Sequence, residues 1–171
     1  THSECSITCC DSLSGDSSAC CWSAESLKDM NVPLSNQASW SLAETAAQEI
    51  IRRSENRHFD IALTLGSGWA KSVALLGETR HAIPAEQIEG FSPSAVAGHT
   101  GQFLVIELPD GKRALVIGAR THLYDGKGSQ AVAHAVRTAA VCGAKVMILT
   151  NGAGGIRETW APGQPVLISD H

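Results

Sequence analysis

The sequence predicts an α/β fold, a mixed β-sheet flanked by helices, and three observations carry that expectation. Short apolar runs of strand type recur at "DIALTLG" (60–66), "FLVIELPDGKRALVIGA" (103–119) and "KVMILTNGAGG" (145–155). Between them lie segments with helical spacing, "SLAETAAQEIIRRSEN" (41–56) and "SQAVAHAVRTAAVCGA" (129–144). Strands alternating with helices imply a largely parallel sheet. Pro109-Asp110-Gly111-Lys112 joins two apolar runs as a hairpin, which adds an antiparallel pair and makes the sheet mixed.

The elements follow in order. In 41–56, Ser41 is placed to cap, Glu44 to complete a capping box, and Leu42, Ala46 and Ile50 form an apolar stripe. "DIALTLG" reads as a short buried strand that runs into the turn "GSG" (66–68), and "WAKSVALLG" (69–77) as a helix. The helix at 129–144 ends near Gly143 and feeds the strand of "KVMILTNGAGG"; "PVLISD" (165–170) reads as one more strand.

At 171 residues, 43% hydrophobic and 18% charged, the chain can bury a real core, and its length suits one domain. A formal net charge of −4 argues against a nucleic-acid partner, and no apolar run is long enough to span a bilayer. Cys5, Cys9, Cys10, Cys20 and Cys21 crowd the first residues in a spacing that matches neither a zinc ribbon nor a finger. Residues 1–38 are therefore expected to be a Cys- and Ser-rich disordered extension, with Met30 opening a stretch that reads like a natural start. No metal site is expected, and the rest of the chain looks intracellular.

Four Gly-rich or charged stretches fall at strand ends: "GSG", "AGHTG" (97–101), "GARTHLYDG" (118–126) and "TNGAGG" (150–155). In α/β proteins, ligands collect outside the carboxyl ends of the strands. "GSGWAK" is not a dinucleotide fingerprint, because Ala70 stands at the third glycine. A Gly-Ser-Gly turn can still aim N–H groups and the Ser67 hydroxyl at an anion. Arg120 is the best anion clamp, since a guanidinium makes forked, charge-assisted bonds to phosphate oxygens. In an extended chain Arg120, His122 and Tyr124 would share one face. His99 sits in a small-residue loop with little core to support, which favours a ligand contact. His134 on its helix reads as structural. Gly152 allows a main chain to approach a ligand closely.

Taken in order, these stretches resemble the trimeric purine nucleoside phosphorylase family, from about Asp60 to His171. "LGSGW" looks like the family's phosphate-loop serine turn, "VAGHTG" its Gly-His-x-Gly loop, "GARTHLYDG" its Gly-x-Arg-x-His-x-Tyr-acid-Gly segment, and "LTNGAGGIRETWAPGQPVLISDH" its Thr-Asn-Ala-Ala-Gly-Gly block. The resemblance implies a phosphorylase/hydrolase-like fold whose C-terminal part lies beyond this chain, with 39–171 the N-terminal portion of one domain. It implies phosphate held by Ser67, His99, Arg120, His122 and the Gly152 N–H, with His99 and Arg120 catalytic. Tyr124 would contact the ribose, and Asn151 and Ala153 would line the site floor.

The implied reaction is phosphate-dependent cleavage of purine (deoxy)ribonucleosides in nucleoside salvage. It needs no metal or organic cofactor, since phosphate is a co-substrate. A cytoplasmic homotrimer is implied at full length, with no nucleic-acid or membrane partner. The related methylthioadenosine phosphorylases are the alternative, as is a non-catalytic phosphate-binding fragment. Gly152 and Asp125 stand where the family usually has Ala and Glu. The family chain continues well past His171 and there supplies the purine-reading residues. Base preference is therefore left open, and this chain alone is expected to be inactive.

Overall fold

Strand pairing decides where each loop emerges. The computed structural model describes residues 34–65, 68–91 and 101–170. Helix α1 (Leu34–Ser54) leads into strand β1 (Ile61–Thr64), and a 3-10 turn (Ala70–Ser72) into the short helix α2 (Val73–Leu76). Then come β2 (Glu78–Pro84), β3 (Gln102–Glu107), β4 (Arg113–Ile117), helices α3 (Gly128–Val132) and α4 (His134–Val141), and β5 (Val146–Leu149).

The five strands form one sheet in the order β2-β3-β4-β1-β5. The hairpin β3–β4 and the pair β2–β3 are antiparallel, whereas β1 lies parallel to both β4 and β5. The expected mixed sheet is thus present. The hairpin closes as read: Leu108 and Lys112 are bonded through their backbones at 2.9 Å, and Gly111 takes a left-handed φ of 81°.

Alternation along the strands splits the core in two. Ala62, Phe103, Val105, Leu115 and Ile117 face α1 and α4, where they meet Ala46, Ala47, Ile50, Ala139 and Cys142. Leu63, Ile106, Ala114 and Val116 form the opposite cluster, partly covered by Val73 and Leu76 of α2. Side chains two apart share a face of a strand, so one sheet serves both clusters. The Cys142 thiol lies so deep in the first cluster that burial pushes its pKa up to about 12.

Some boundaries differ from the sequence reading. Helix α1 begins at Leu34, which puts Ser41 inside the helix rather than at a cap; its carbonyl accepts the Thr45 hydroxyl at 3.1 Å. Residues 129–144 divide at Ala133 into α3 and α4. The helix read at 69–77 shrinks to a 3-10 turn and one α-turn, ended at Gly77, where a Cβ would meet the Glu107 carbonyl oxygen at 2.0 Å. Strand β2 was not read at all. Residues 165–170 carry no strand among the described residues, because an extended segment becomes one only where a neighbour supplies the ladder.

His134 is structural, as expected. Its ring is buried, 4.6 Å from that of Phe91, with Nε2 3.1 Å from the Glu89 carbonyl oxygen. Gly90 makes room for it at a φ of +82°, since a Cβ there would come within 2.4 Å of Nε2. Residues 153–170 form a unit of their own, exposed throughout, in which the Arg157 guanidinium lies 5.5 Å over the Trp160 ring. No described helix is long and apolar enough to cross a membrane.

Candidate functional site

Because β4, β1 and β5 run parallel, their carboxyl ends lie at one edge of the sheet, with Thr64 level with Ile117 on one side and Leu149 on the other. Antiparallel β3 brings its amino end to the same edge, where Phe103 pairs with Ile117 and the Gly118 N–H donates to the Gln102 carbonyl at 2.8 Å. Four connections thus start or end along one line: those leaving Thr64, Ile117 and Leu149, and the one entering at Gln102. These connections carry the four stretches singled out in the sequence. Ser67 and His99 themselves lie outside the described residues.

Arg120 crosses this edge. Half-buried, it donates from Nη1 to the Thr150 carbonyl at 3.1 Å. That bond joins the segment after β4 to the head of "TNGAGG", directly before Asn151 and Gly152, both exposed. A guanidinium carries five N–H donors in a planar fork. Among the described residues this is the bond that Arg120 makes, so most of the fork is left for an anion. Gly152 stays out of the left-handed region. Ala153 is exposed and belongs to the separate 153–170 unit.

His122 and Tyr124 are brought together, but not by strand alternation. The strand ends at Ile117, and the chain then curls into a 3-10 turn at Leu123–Asp125. The Asp125 carboxylate accepts the His122 backbone N–H at 2.8 Å, the Asp125 N–H donates to the His122 carbonyl at 3.0 Å, and Gly126 closes the turn at a φ of 73°. A single extended face through Arg120, His122 and Tyr124 is therefore not formed. Instead the His122 and Tyr124 rings stack 4.7 Å apart at 10°, with Tyr124 80% exposed. Asp125 Oδ2 also lies 3.8 Å from His122 Nδ1.

The opposite edge is arranged differently. A cavity of about 390 Å³ there is lined by Arg80, His81, Glu107 and Arg113 among others. Arg113 and Arg80 both bind the Glu107 carboxylate, and Arg80 also binds Glu78 at 2.8 Å. Arg113, then Arg80, hold the Glu107 carboxyl below its ordinary pKa. Both guanidiniums are thus matched by acids, which leaves no excess positive charge for an anion. Among the described residues, no group of three or more His, Cys, Asp or Glu could hold a metal ion.

Sequence reasoning missed Thr150. Its hydroxyl donates to the Thr64 carbonyl at 2.8 Å and its N–H to the same oxygen at 3.2 Å, which ties the end of β5 to the end of β1. The threonine heads the "TNGAGG" stretch, but nothing in the sequence shows that its hydroxyl ties two strand ends together.

Fold and site together define a mixed-sheet α/β protein that sets Arg120 at the carboxyl edge of its parallel strands. The phosphorylase superfamily matches residues 60–171, and the chain belongs to that superfamily. It is 48% identical over 145 residues to a purine nucleoside phosphorylase of Cellulomonas sp, an alignment covering 81% of this chain and 51% of that protein. Purine nucleoside phosphorylase of Mycobacterium tuberculosis is 45% identical over 130 residues, covering 76% and 48%. A crystal structure of isoform 2 of the Schistosoma mansoni enzyme, in complex with cytosine and ribose-1-phosphate, superposes with a TM-score of 0.59 at 32% identity, covering 69% of this chain and 40% of that one. The chain spans about half the length of the curated relatives it matches.

Proposed function

We propose that this chain forms the phosphate-holding part of a purine nucleoside phosphorylase, a pentosyltransferase of nucleoside salvage. Purine (deoxy)ribonucleoside and phosphate give the free base and (deoxy)ribose 1-phosphate. The observation that carries the reading is the Arg120–Thr150 bond, which ties a forked cation to the backbone two residues before the exposed Gly152. The names of its relatives supply the substrate class.

In this reading Arg120, His122, Ser67 and the Gly152 N–H hold a phosphate dianion. His99 lies beside the phosphate and ribose, Tyr124 meets the sugar, and Asn151 and Ala153 line the floor. Breaking the glycosidic bond develops oxocarbenium character at the sugar. The base leaves with the bonding pair, the phosphate stabilises the cation and attacks its anomeric carbon, and the proton that the hydrogen phosphate gives up balances the one the base takes up. Positioning and electrostatics suffice, with no covalent enzyme intermediate and no cofactor beyond the co-substrate phosphate. A homotrimer in the cytoplasm belongs to the same proposal; of the extension expected over 1–38, residues 1–33 lie outside the described residues and 34–38 belong to α1.

The test is hypoxanthine release from inosine, with and without phosphate, by wild-type and Arg120→Ala chains, run beside phosphate binding. Phosphate-dependent release that Arg120→Ala lacks supports the activity. Binding without release restricts this chain to holding phosphate. Absence of phosphate binding contradicts the reading.

A further inference from the structure

Three strands at the candidate site meet through one residue, Thr150. The Thr150 hydroxyl donates to the carbonyl of Thr64, the last residue of β1. The Thr150 carbonyl in turn accepts from Arg120, which follows β4. The Thr150 backbone N–H also reaches the Thr64 oxygen, at a longer 3.2 Å against 2.8 Å for the hydroxyl. Of these two bonds to the Thr64 oxygen, the hydroxyl makes the shorter, and it helps to fix where the Thr150 carbonyl points. That carbonyl holds one N–H of the guanidinium.

We propose that Thr150 is a positioning residue for phosphate: its hydroxyl, through the Thr64 carbonyl, fixes the peptide oxygen that aims the Arg120 fork. The inference deepens the proposed function and rests on it for the identity of the anion. A free arginine side chain samples many rotamers, and binding must first order it. A guanidinium already held at one N–H presents the remaining donors with less to lose. Loosening the end of β5 lets the carbonyl swing and returns that freedom to Arg120. Asn151 and Gly152 follow Thr150 directly, so the same tie also holds the main chain expected to approach the anion.

The variants are Thr150→Val, which keeps the branched shape and the backbone N–H, and Thr150→Ser, which keeps the hydroxyl. Thr150→Ala replaces the first if the valine is not accommodated. Two quantities are read on the 171-residue chain: the order of the Arg120 Nε–H by ¹⁵N relaxation, and the affinity for inorganic phosphate. Thr150→Val is expected to lower the order of Arg120 and weaken phosphate about fivefold, the scale of one net hydrogen bond. Thr150→Ser is expected to restore both to within about twofold. Unchanged order and affinity in Thr150→Val, even with a lower melting temperature, would overturn the inference and leave Thr150 a purely structural role. A serine variant no better than the valine one overturns it as well. If wild type takes up no phosphate, the proposed function fails, and the inference is then decided by the ordering of Arg120 alone.

Discussion

The two edges of the parallel strands are built from the same backbone and finish it in opposite ways. At the amino edge the Asp60 N–H donates to the Arg113 carbonyl, its carbonyl accepts from Lys145, and its carboxylate accepts the Arg113 N–H, at 2.9, 3.1 and 2.9 Å. One residue thereby links the starts of β1, β4 and β5 through its N–H, its carbonyl and one carboxylate oxygen. At the carboxyl edge Thr150 performs the corresponding linkage, yet Arg120 is only half-buried with a single bond among the described residues, and Asn151 and Gly152, next along the chain from Thr150, are exposed. Closure stabilises, whereas an open, oriented set of donors can bind. On the proposed function, the difference assigns phosphate binding to one edge and stability to the other.

Arg120→Ala should separate the edges most sharply. Loss of two charge-assisted bonds, each worth about 1.5–3 kcal/mol, should weaken phosphate binding roughly 100-fold or more. Stability, read by urea unfolding, should change by about 1 kcal/mol or less, because Arg120 makes a single bond among the described residues. A large stability loss with unaltered phosphate affinity would erase the distinction.

Asp60→Ala is the converse. It removes a charged acceptor from the Arg113 N–H and should cost about 1.5 kcal/mol of unfolding free energy while phosphate affinity stays put. An equal loss of phosphate binding would show that the edges are not independent.

A pH titration bears on the core between them. Burial lowers the His134 pKa below its ordinary 6.5, with the Arg137 charge acting the same way and the Glu89 carbonyl opposing. The unfolded chain therefore binds a proton more readily than the folded one. This contribution to stability is fully present above about pH 6.5 and is lost as the pH falls through the folded pKa. His134→Gln should flatten that part of the stability profile and leave phosphate affinity at neutral pH untouched. A profile with the same slope in the variant would contradict the assignment.

The smallest effect is expected at Gly152→Ala. The backbone there avoids the left-handed region, so a Cβ meets no conformational penalty. The N–H is retained, so phosphate binding should survive, with stability unchanged or raised by about 0.4–1 kcal/mol as the unfolded chain loses freedom. Loss of phosphate binding would mean that the anion needs the space a glycine leaves.

The parts of this molecule legible in sequence were those encoded locally. Pro109-Asp110-Gly111-Lys112 announced the hairpin, and the apolar runs of β1, β4 and β5 announced a buried sheet. Strand β2 escaped because "ETRHAIP" buries little beyond Ile83 and so shows no alternation. Helix α1 starts seven residues before Ser41, the cap read for it, because the turn before a capping pattern can itself be helical. Arg120 was legible as an anion clamp from its chemistry. Its anchor was not, because the Thr150 carbonyl is a backbone atom 30 positions away that only the β4-β1-β5 order brings near. The turn at Leu123–Asp125 likewise depends on the Asp125 carboxylate finding the His122 N–H, which overrides the extended reading of the segment.

The most direct measurement follows inorganic phosphate into the chain by NMR, residue by residue. The account expects shifts at the Arg120 Nε–H and the Gly152 amide, with the Arg113 amide at the opposite edge unmoved, and expects the shifts to vanish in Arg120→Ala. Shifts centred on Arg113 and Arg80, or no shift at Arg120 at saturating phosphate, would contradict it.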